Sequence, residues 1–92
     1  MKAVLRRQRT PWILLALIGF SDGCYVPQVY HDRGVELQRQ GRWEAAIEQY
    51  SRAVELDTKY AEAYMNRGGL WSEVGEYEKA VEDYTRVIEI DP

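Results

Sequence analysis

Apolar side chains recur at steps of three and four residues in two stretches of the chain, and the two stretches are offset by 34 positions. An α-helix repeats about every 3.6 residues, so this spacing places the apolar side chains on one face of a helix. The positions are Trp43, Ala46, Ile47, Tyr50, Ala53 and Val54 in the first stretch, and Tyr77, Ala80, Val81, Tyr84, Val87 and Ile88 in the second. The pattern predicts two amphipathic helices.

A second apolar run of helical spacing precedes each of these helices. The runs consist of Tyr30, Gly34 and Leu37, and of Tyr64, Gly68, Trp71 and Val74. Gly41 and Gly75 separate the two runs of each unit, and glycine tolerates the left-handed backbone at which many helices end. Pro92 is expected to end the last helix. The sequence therefore predicts two helix–turn–helix units.

A gapless comparison of residues 27–58 with residues 61–92 shows that the two units are copies of one another. Eleven of the aligned pairs are identical, namely Tyr30/Tyr64, Arg33/Arg67, Gly34/Gly68, Gly41/Gly75, Glu44/Glu78, Ala46/Ala80, Glu48/Glu82, Tyr50/Tyr84, Arg52/Arg86, Glu55/Glu89 and Asp57/Asp91. The duplication predicts an all-α fold in which antiparallel helix pairs stack as an α-solenoid. One unit occupies residues 27–60 and the other occupies residues 61–92.

Gly34 and Gly68 lie inside predicted helices, where glycine costs about 1 kcal/mol relative to alanine. A close approach between the two helices of a unit would compensate for this cost. We expect the small residues Ala46 and Ala80 to face the glycines, with tyrosines filling the space around each contact.

Charged side chains at four-residue spacing predict ion pairs along the second helix of each unit. The expected pairs are Glu48/Arg52, Lys79/Asp83 and Glu82/Arg86. Each would contribute a few tenths of a kcal/mol.

The stretch AEAYMNRGGLWSEVGEYEKAVEDYTRVIEIDP resembles the tetratricopeptide repeat family. The matching residues are Tyr64, Gly68, Trp71, Gly75, Tyr77, Ala80, Tyr84 and Pro92, and in the first copy Tyr30, Gly34, Leu37, Gly41, Trp43, Ala46 and Tyr50. Arg33 and Arg67 depart from the family, which often has leucine there, and both are expected to be partly exposed with their stems on the core. Thr58 departs at a position where the family often has proline. The resemblance implies a protein-binding superhelix without catalytic activity.

The resemblance also implies that the first helix of each pair lines a concave groove for a peptide or helix of a partner protein. The candidate groove residues are Gln28, His31, Asp32, Val35, Gln38 and Arg39 in the first repeat, and Glu62, Met65, Asn66, Gly69, Ser72 and Glu73 in the second. Members of the family that clamp a carboxylate tail use lysine and arginine from this face. Only Arg39, with His31 as a weak second, is present here, so such a clamp is disfavoured.

The first 23 residues have the order of a bacterial signal peptide. Four basic residues lie within residues 1–11, nine apolar residues follow at 12–20, and small and polar residues come next. Nine helical residues span about 14 Å, against roughly 30 Å of hydrocarbon, so a permanent membrane span is not expected. The pattern predicts export to the periplasm or cell envelope. A leader that belongs to a cytoplasmic scaffold is the alternative.

Cys24 follows this segment directly and is a candidate for lipidation, because the arrangement resembles a bacterial lipoprotein signal. Ser21 and Asp22 depart from that signal, which usually has a leucine-like and then a small residue at these places. Ser21 and Gly23 also fit ordinary signal-peptidase cleavage, which would leave a free Cys24 near the new N-terminus. An inert Cys24 is the third alternative. Contact with a membrane is expected only through such a lipid.

The remaining composition supplies little chemistry. A chain with one Cys and one His offers no internal disulfide and no metal site, and no phosphate loop or nucleophile motif is present, so no catalytic residue, cofactor or metal is predicted. His31 is expected to be a surface residue. Residues 27–92 carry eight basic and fourteen acidic side chains, which disfavours nucleic acid as a partner.

Two repeats leave one face of the last helix uncovered, since about three are needed for a stable solenoid. Val87 and Ile90 are expected to carry this face. The chain is then either the N-terminal part of a longer repeat protein, with its activity beyond residue 92, or it associates with itself or a partner along this helix.

Overall fold

The computed structural model describes residues 25–92, so the predictions for the leader and for Cys24 lie outside the described residues. Four α-helices follow one another, α1 (Val26–Arg39), α2 (Trp43–Leu56), α3 (Ala61–Glu73) and α4 (Tyr77–Ile90), and this part of the chain contains no strand. The predicted all-α fold of two helix pairs is confirmed. Within residues 25–92, none of the helices combines the length and apolarity that a membrane crossing requires.

The turn inside each pair is built on a glycine in the left-handed region. Gly41 has φ of 77° and Gly75 has φ of 86°, as predicted for these positions. The residue after each glycine closes the turn by donating its backbone N–H to a carbonyl near the helix end. Arg42 donates to Leu37 at 2.9 Å, and Glu76 donates to Trp71 at 2.8 Å. These bonds satisfy carbonyls that the end of a helix leaves without an intrahelical partner.

The helices pack in chain order, α1 on α2, α2 on α3 and α3 on α4. This order gives α2 a neighbour on two sides. Its apolar face is accordingly the centre of the core. The largest fully buried side chains are Tyr50 of α2 and Leu70 of α3. The core cluster consists of Ala46, Ile47, Tyr50, Ala53, Val54, Ala63, Tyr64 and Leu70.

The helical glycines permit a close approach, but the partner differs from the prediction. A Cβ atom on Gly34 would lie 2.6 Å from Cε1 of Tyr50, and a Cβ atom on Gly68 would lie 3.0 Å from Cε1 of Tyr84. The expectation that Ala46 and Ala80 face the glycines is therefore wrong. A tyrosine ring lies against each glycine, because only the absence of a side chain leaves room for the ring.

The predicted ion pairs along the helices are only partly confirmed. Arg52 and Glu48 are paired at 3.7 Å. Asp83 pairs with Arg67 of the neighbouring helix α3 and not with Lys79, whose ammonium lies 4.5 Å from the centre of the Trp71 ring. The expected pair between Glu82 and Arg86 is also wrong, because Arg86 pairs with Glu89 at 3.4 Å. Packing between helices determines the partner of Asp83, and the spacing of charges within one helix does not predict it.

The uncovered face of α4 also differs from the prediction. Val87 and Ile90 are partly buried against the core, so they do not carry the open face. The exposed apolar side chains of α4 are Tyr77, Val81, Tyr84 and Ile88. One face of α4 is exposed, as expected, but it lies on a different side of the helix from Val87 and Ile90.

Candidate protein-binding surface

The first helix of each pair, α1 or α3, carries the twelve candidate groove residues. The structure divides them by their exposure to solvent. The exposed residues are Gln28, Asp32, Val35, Gln38, Arg39, Glu62, Met65 and Glu73, while Asn66, Gly69 and Ser72 are half-buried and His31 is buried. We call the surface formed by these α1 and α3 residues the groove surface.

His31 is the point at which α1 and α3 meet, and the expectation that it lies at the surface is wrong. Its Nε2 accepts a hydrogen bond from the side-chain amide of Asn66 at 3.0 Å. Its ring stacks on Tyr60, with 5.1 Å between ring centres, and lies tilted against Tyr50 at 5.6 Å. Only 7% of the residue is exposed. The His31–Asn66 hydrogen bond therefore joins the first helix of one repeat to the first helix of the other.

Two exposed carboxylates flank this link. Asp32 Oδ1 lies 3.5 Å from His31 Nδ1, and Glu62 Oε2 lies 3.9 Å from His31 Nε2. The side chains are 66% and 64% exposed, so both oxygens are open to solvent and to a ligand. They place negative charge at the middle of the groove surface, which opposes the binding of an acidic tail.

Two other polar candidates already have partners in the protein. Arg39 donates to Glu36 Oε2 at 2.6 Å, so the one arginine of the groove surface already has a carboxylate partner. Gln38 accepts a hydrogen bond from the hydroxyl of Tyr50 at 2.8 Å. Burial raises the pKa of the Tyr50 hydroxyl to about 12. Gln38 thus supports the core residue that lies below the groove surface.

The apolar part of the groove surface consists of Val35 and Met65, which are 36% and 51% exposed. Gly69 of α3 lies near α4, and a Cβ atom on it would be 3.7 Å from the hydroxyl of Tyr84. Ser72 and Glu73 lie at the C-terminal end of α3. The groove surface thus combines two exposed apolar side chains with the exposed carboxylates of Asp32 and Glu62.

Side chains that could ligate a metal are dispersed in the described residues. No group of three or more His, Cys, Asp or Glu side chains within residues 25–92 is arranged to hold a metal ion. An open pocket of about 230 Å³ is lined by Tyr30, Arg52, Glu55 and Leu56, none of which belongs to the groove surface.

Residues that the sequence reasoning missed lie between α3 and its two neighbours. Arg67 donates two hydrogen bonds to Asp83 of α4, at 2.7 and 2.8 Å, and a third to Ser51 Oγ of α2 at 3.1 Å. The hydrogen bonds that Asp83 accepts are the main cause of the raised pKa of the Arg67 guanidinium. The sequence signal for this ion pair was Arg67 itself, which stands where the family often has leucine. An arginine that is buried requires an acidic partner.

Two stacked helix hairpins with glycine turns and an open first-helix face define a helical-repeat protein. Family models agree: one described as TPR repeat matches residues 34–70, and one described as tetratricopeptide repeat matches residues 61–92. The chain therefore carries tetratricopeptide repeats and belongs to that family, whose repeats are protein-interaction modules and are typically not catalytic.

A solved structure supports the same fold. The crystal structure of MamA matches with a TM-score of 0.70 and 35% sequence identity over 72% of this chain. The chain spans 39% of the length of MamA. No curated protein sequence matches the chain.

Proposed function

We propose that the chain binds a peptide or helix of a partner protein on the groove surface. The observation that carries this proposal is the His31–Asn66 hydrogen bond, which links α1 to α3 while Val35 and Met65 stay exposed on these helices. A surface whose geometry is set before binding loses little conformational freedom when a ligand arrives. Asp32 and Glu62 favour a partner segment without acidic side chains at the centre of the contact.

Site-specific photo-crosslinking tests the groove. A benzophenone amino acid at Val35 should give adducts with a discrete partner polypeptide in cells. The matched control places the same group at Glu44, which is exposed on α2 and outside the groove surface. Substitution of Asp32 and Glu62 by lysine should remove the adducts from position 35. Identical adducts from positions 35 and 44, unchanged by these substitutions, would contradict binding in the groove.

We also propose that the protein acts at the bacterial cell envelope. Support comes from the order of basic, apolar and small residues in positions 1–23, and from Cys24 as a candidate for a lipid anchor. Cell fractionation with mass analysis of the mature N-terminus tests export, because a processed chain would start near Cys24. Loss of radiolabelled lipid in Cys24→Ala tests the anchor. A full-length chain in the cytoplasm would support the alternative of a cytoplasmic scaffold.

Association through α4, either with a second copy or with another protein, is a second proposal. Its support is the exposure of Val81 and Ile88, which are 62% and 65% exposed. In the described residues, α4 makes extensive contacts with α3 and with no other helix. Sedimentation equilibrium of the full chain tests self-association, and Val81→Glu should shift any dimer toward monomer.

A further inference from the structure

His31 is a buried titratable side chain that lies between two helices and two exposed carboxylates. Its Nε2 accepts the side-chain amide of Asn66 of α3 at 3.0 Å. Asp32 Oδ1 of α1 lies 3.5 Å from Nδ1, and Glu62 Oε2 of α3 lies 3.9 Å from Nε2. We call these four residues the His31 cluster.

The duplication of the two repeats does not account for the His31 cluster. The corresponding residues at the offset of 34 positions are His31 and Met65, Asp32 and Asn66, and Gln28 and Glu62. No member of the cluster therefore has an identical residue in the other repeat, unlike the glycines and tyrosines that build the helix pairs. The cluster belongs to the junction between the repeats and not to the repeat pattern itself.

The hydrogen bonds of the neutral ring indicate which nitrogen carries the proton. A neutral imidazole has one N–H donor and one acceptor nitrogen. With the proton on Nδ1, the ring of His31 donates toward the Asp32 carboxylate and accepts from Asn66. With the proton on Nε2, the lone pair of Nδ1 would face that carboxylate, which is also only an acceptor. The contacts therefore favour the Nδ1–H tautomer.

Two tyrosines complete the surroundings of the ring. Tyr60, in the connection between α2 and α3, stacks on it with 5.1 Å between ring centres, and Tyr50 of α2 lies tilted at 5.6 Å. Burial is the main cause of the raised pKa of both hydroxyls, and the negative charge of Glu62 adds to it. Both tyrosines therefore stay neutral at the pH values at which histidine ordinarily titrates. The carboxylates within 4 Å of the ring nitrogens are those of Asp32 and Glu62.

Protonation of His31 would reverse the role of Nε2. In the imidazolium both nitrogens carry a proton, so Nε2 can no longer accept the N–H of Asn66. Two donors would then face each other at 3.0 Å, and the amide has to turn its oxygen toward the ring or move away. The new Nε2–H lies 3.9 Å from the carboxylate of Glu62, whose side chain is 64% exposed and can approach the ring.

We propose that His31 is a pH-sensitive switch between the repeats, in which protonation exchanges the hydrogen bond from Asn66 for ion pairs with Asp32 and Glu62. One positive charge is added beside two negative ones, and both carboxylates turn toward the ring. The centre of the groove surface then presents less negative charge, so a cationic partner segment binds more weakly in acid. This regulation rests on the proposed groove binding, but the switch itself needs no partner. It is tested on the free chain, and cross-linking from position 35 reports on groove binding separately.

NMR spectroscopy of the full chain tests the switch. The sequence has one histidine and one asparagine, so selective ¹⁵N labelling of these residue types gives one imidazole and one side-chain amide. At about pH 7.5 we expect the Nδ1–H tautomer, and on acidification to about pH 5 the amide signals of Asn66 should move with the same midpoint as the imidazole of His31. A dominant Nε2–H tautomer, or amide signals that do not follow the imidazole, would overturn the proposal.

Three single variants test the ion pairs. Asp32→Asn and Glu62→Gln each remove one carboxylate beside the ring, and the imidazole should then titrate about half a pH unit lower. Glu73→Gln, which removes an exposed carboxylate from the C-terminal end of α3, should leave the titration unchanged. All three positions are exposed, so circular dichroism should show that the variants stay folded. If Glu62→Gln has no more effect than Glu73→Gln, protonation does not recruit Glu62 and the proposal is wrong.

Discussion

Arg67 of α3 and Asp83 of α4 form a two-pronged ion pair, in which Nη2 and Nε of the arginine lie 2.7 and 2.8 Å from the two carboxylate oxygens. The Asp83 side chain is 5% exposed and the Arg67 side chain is 18% exposed. A pair of this geometry fixes the two helices of the second repeat relative to each other. The first repeat has Gln49 in place of Asp83, and Gln49 Oε1 is buried without a hydrogen-bond partner.

Removal of Asp83 should destabilise the protein strongly. Asp83→Ala leaves the guanidinium of Arg67 without its acceptor in a largely buried place, and we expect the free energy of unfolding to fall by about 3 kcal/mol. Urea unfolding followed by circular dichroism measures the change. Glu82→Ala, at an exposed neighbouring position, should change stability by less than about 0.5 kcal/mol. A small effect at Asp83 would show that water or another acceptor replaces the carboxylate, and would contradict the dependence of Arg67 on Asp83.

The two helical glycines should respond differently to alanine. Alanine in a helix is favoured by about 1 kcal/mol, but at Gly34 its Cβ atom would lie 2.6 Å from the fully buried ring of Tyr50. At Gly68 the nearest atom is 3.0 Å away and belongs to Tyr84, a residue that is 40% exposed and whose ring can move outward, while the Cβ of Asp83 lies at 3.3 Å. We expect Gly34→Ala to lower the melting temperature more than Gly68→Ala. The reverse order in thermal melts would contradict this packing.

The hydrogen bond between the repeats should be measurable as a coupling energy. His31→Ala and Asn66→Ala each remove one partner of the 3.0 Å bond, and the imidazole also loses its contacts with Tyr60 and Tyr50. We expect His31→Ala to be the more destabilising change and the double mutant to be less destabilised than the sum, by about 0.5–1.5 kcal/mol. Strict additivity in urea unfolding would show that the two side chains do not interact in solution.

Tyr50 should give the protein an alkaline limit. Burial raises the pKa of its hydroxyl to about 12, from an unfolded value of about 10. A raised folded-state pKa contributes stability that is complete below about pH 10 and is lost as the pH rises toward 12. The stability difference between the wild type and Tyr50→Phe should therefore shrink over this window. Absorbance at about 295 nm should show one late-titrating tyrosine in the wild type that the variant lacks; its presence in the variant would assign the step to another residue.

The sequence by itself determined the helices, the glycine turns at Gly41 and Gly75, the duplication and the family. These features depend on local periodicity and on backbone conformations that glycine tolerates, and both can be read from consecutive residues. The close approach at Gly34 and Gly68 was also predictable, because a costly residue in a helix requires compensation.

Only the tertiary structure decided which side chains meet. The side chain that lies against Gly34 belongs to Tyr50 and not to the expected Ala46. Asp83 pairs with Arg67 of α3 and not with Lys79 of the same helix. His31 is buried and bonded to Asn66 although its sequence context is that of an exposed helix position. Such partners depend on how the helices rotate and pack against one another. That arrangement is set by the sum of many contacts between distant residues, and no single stretch of sequence contains it.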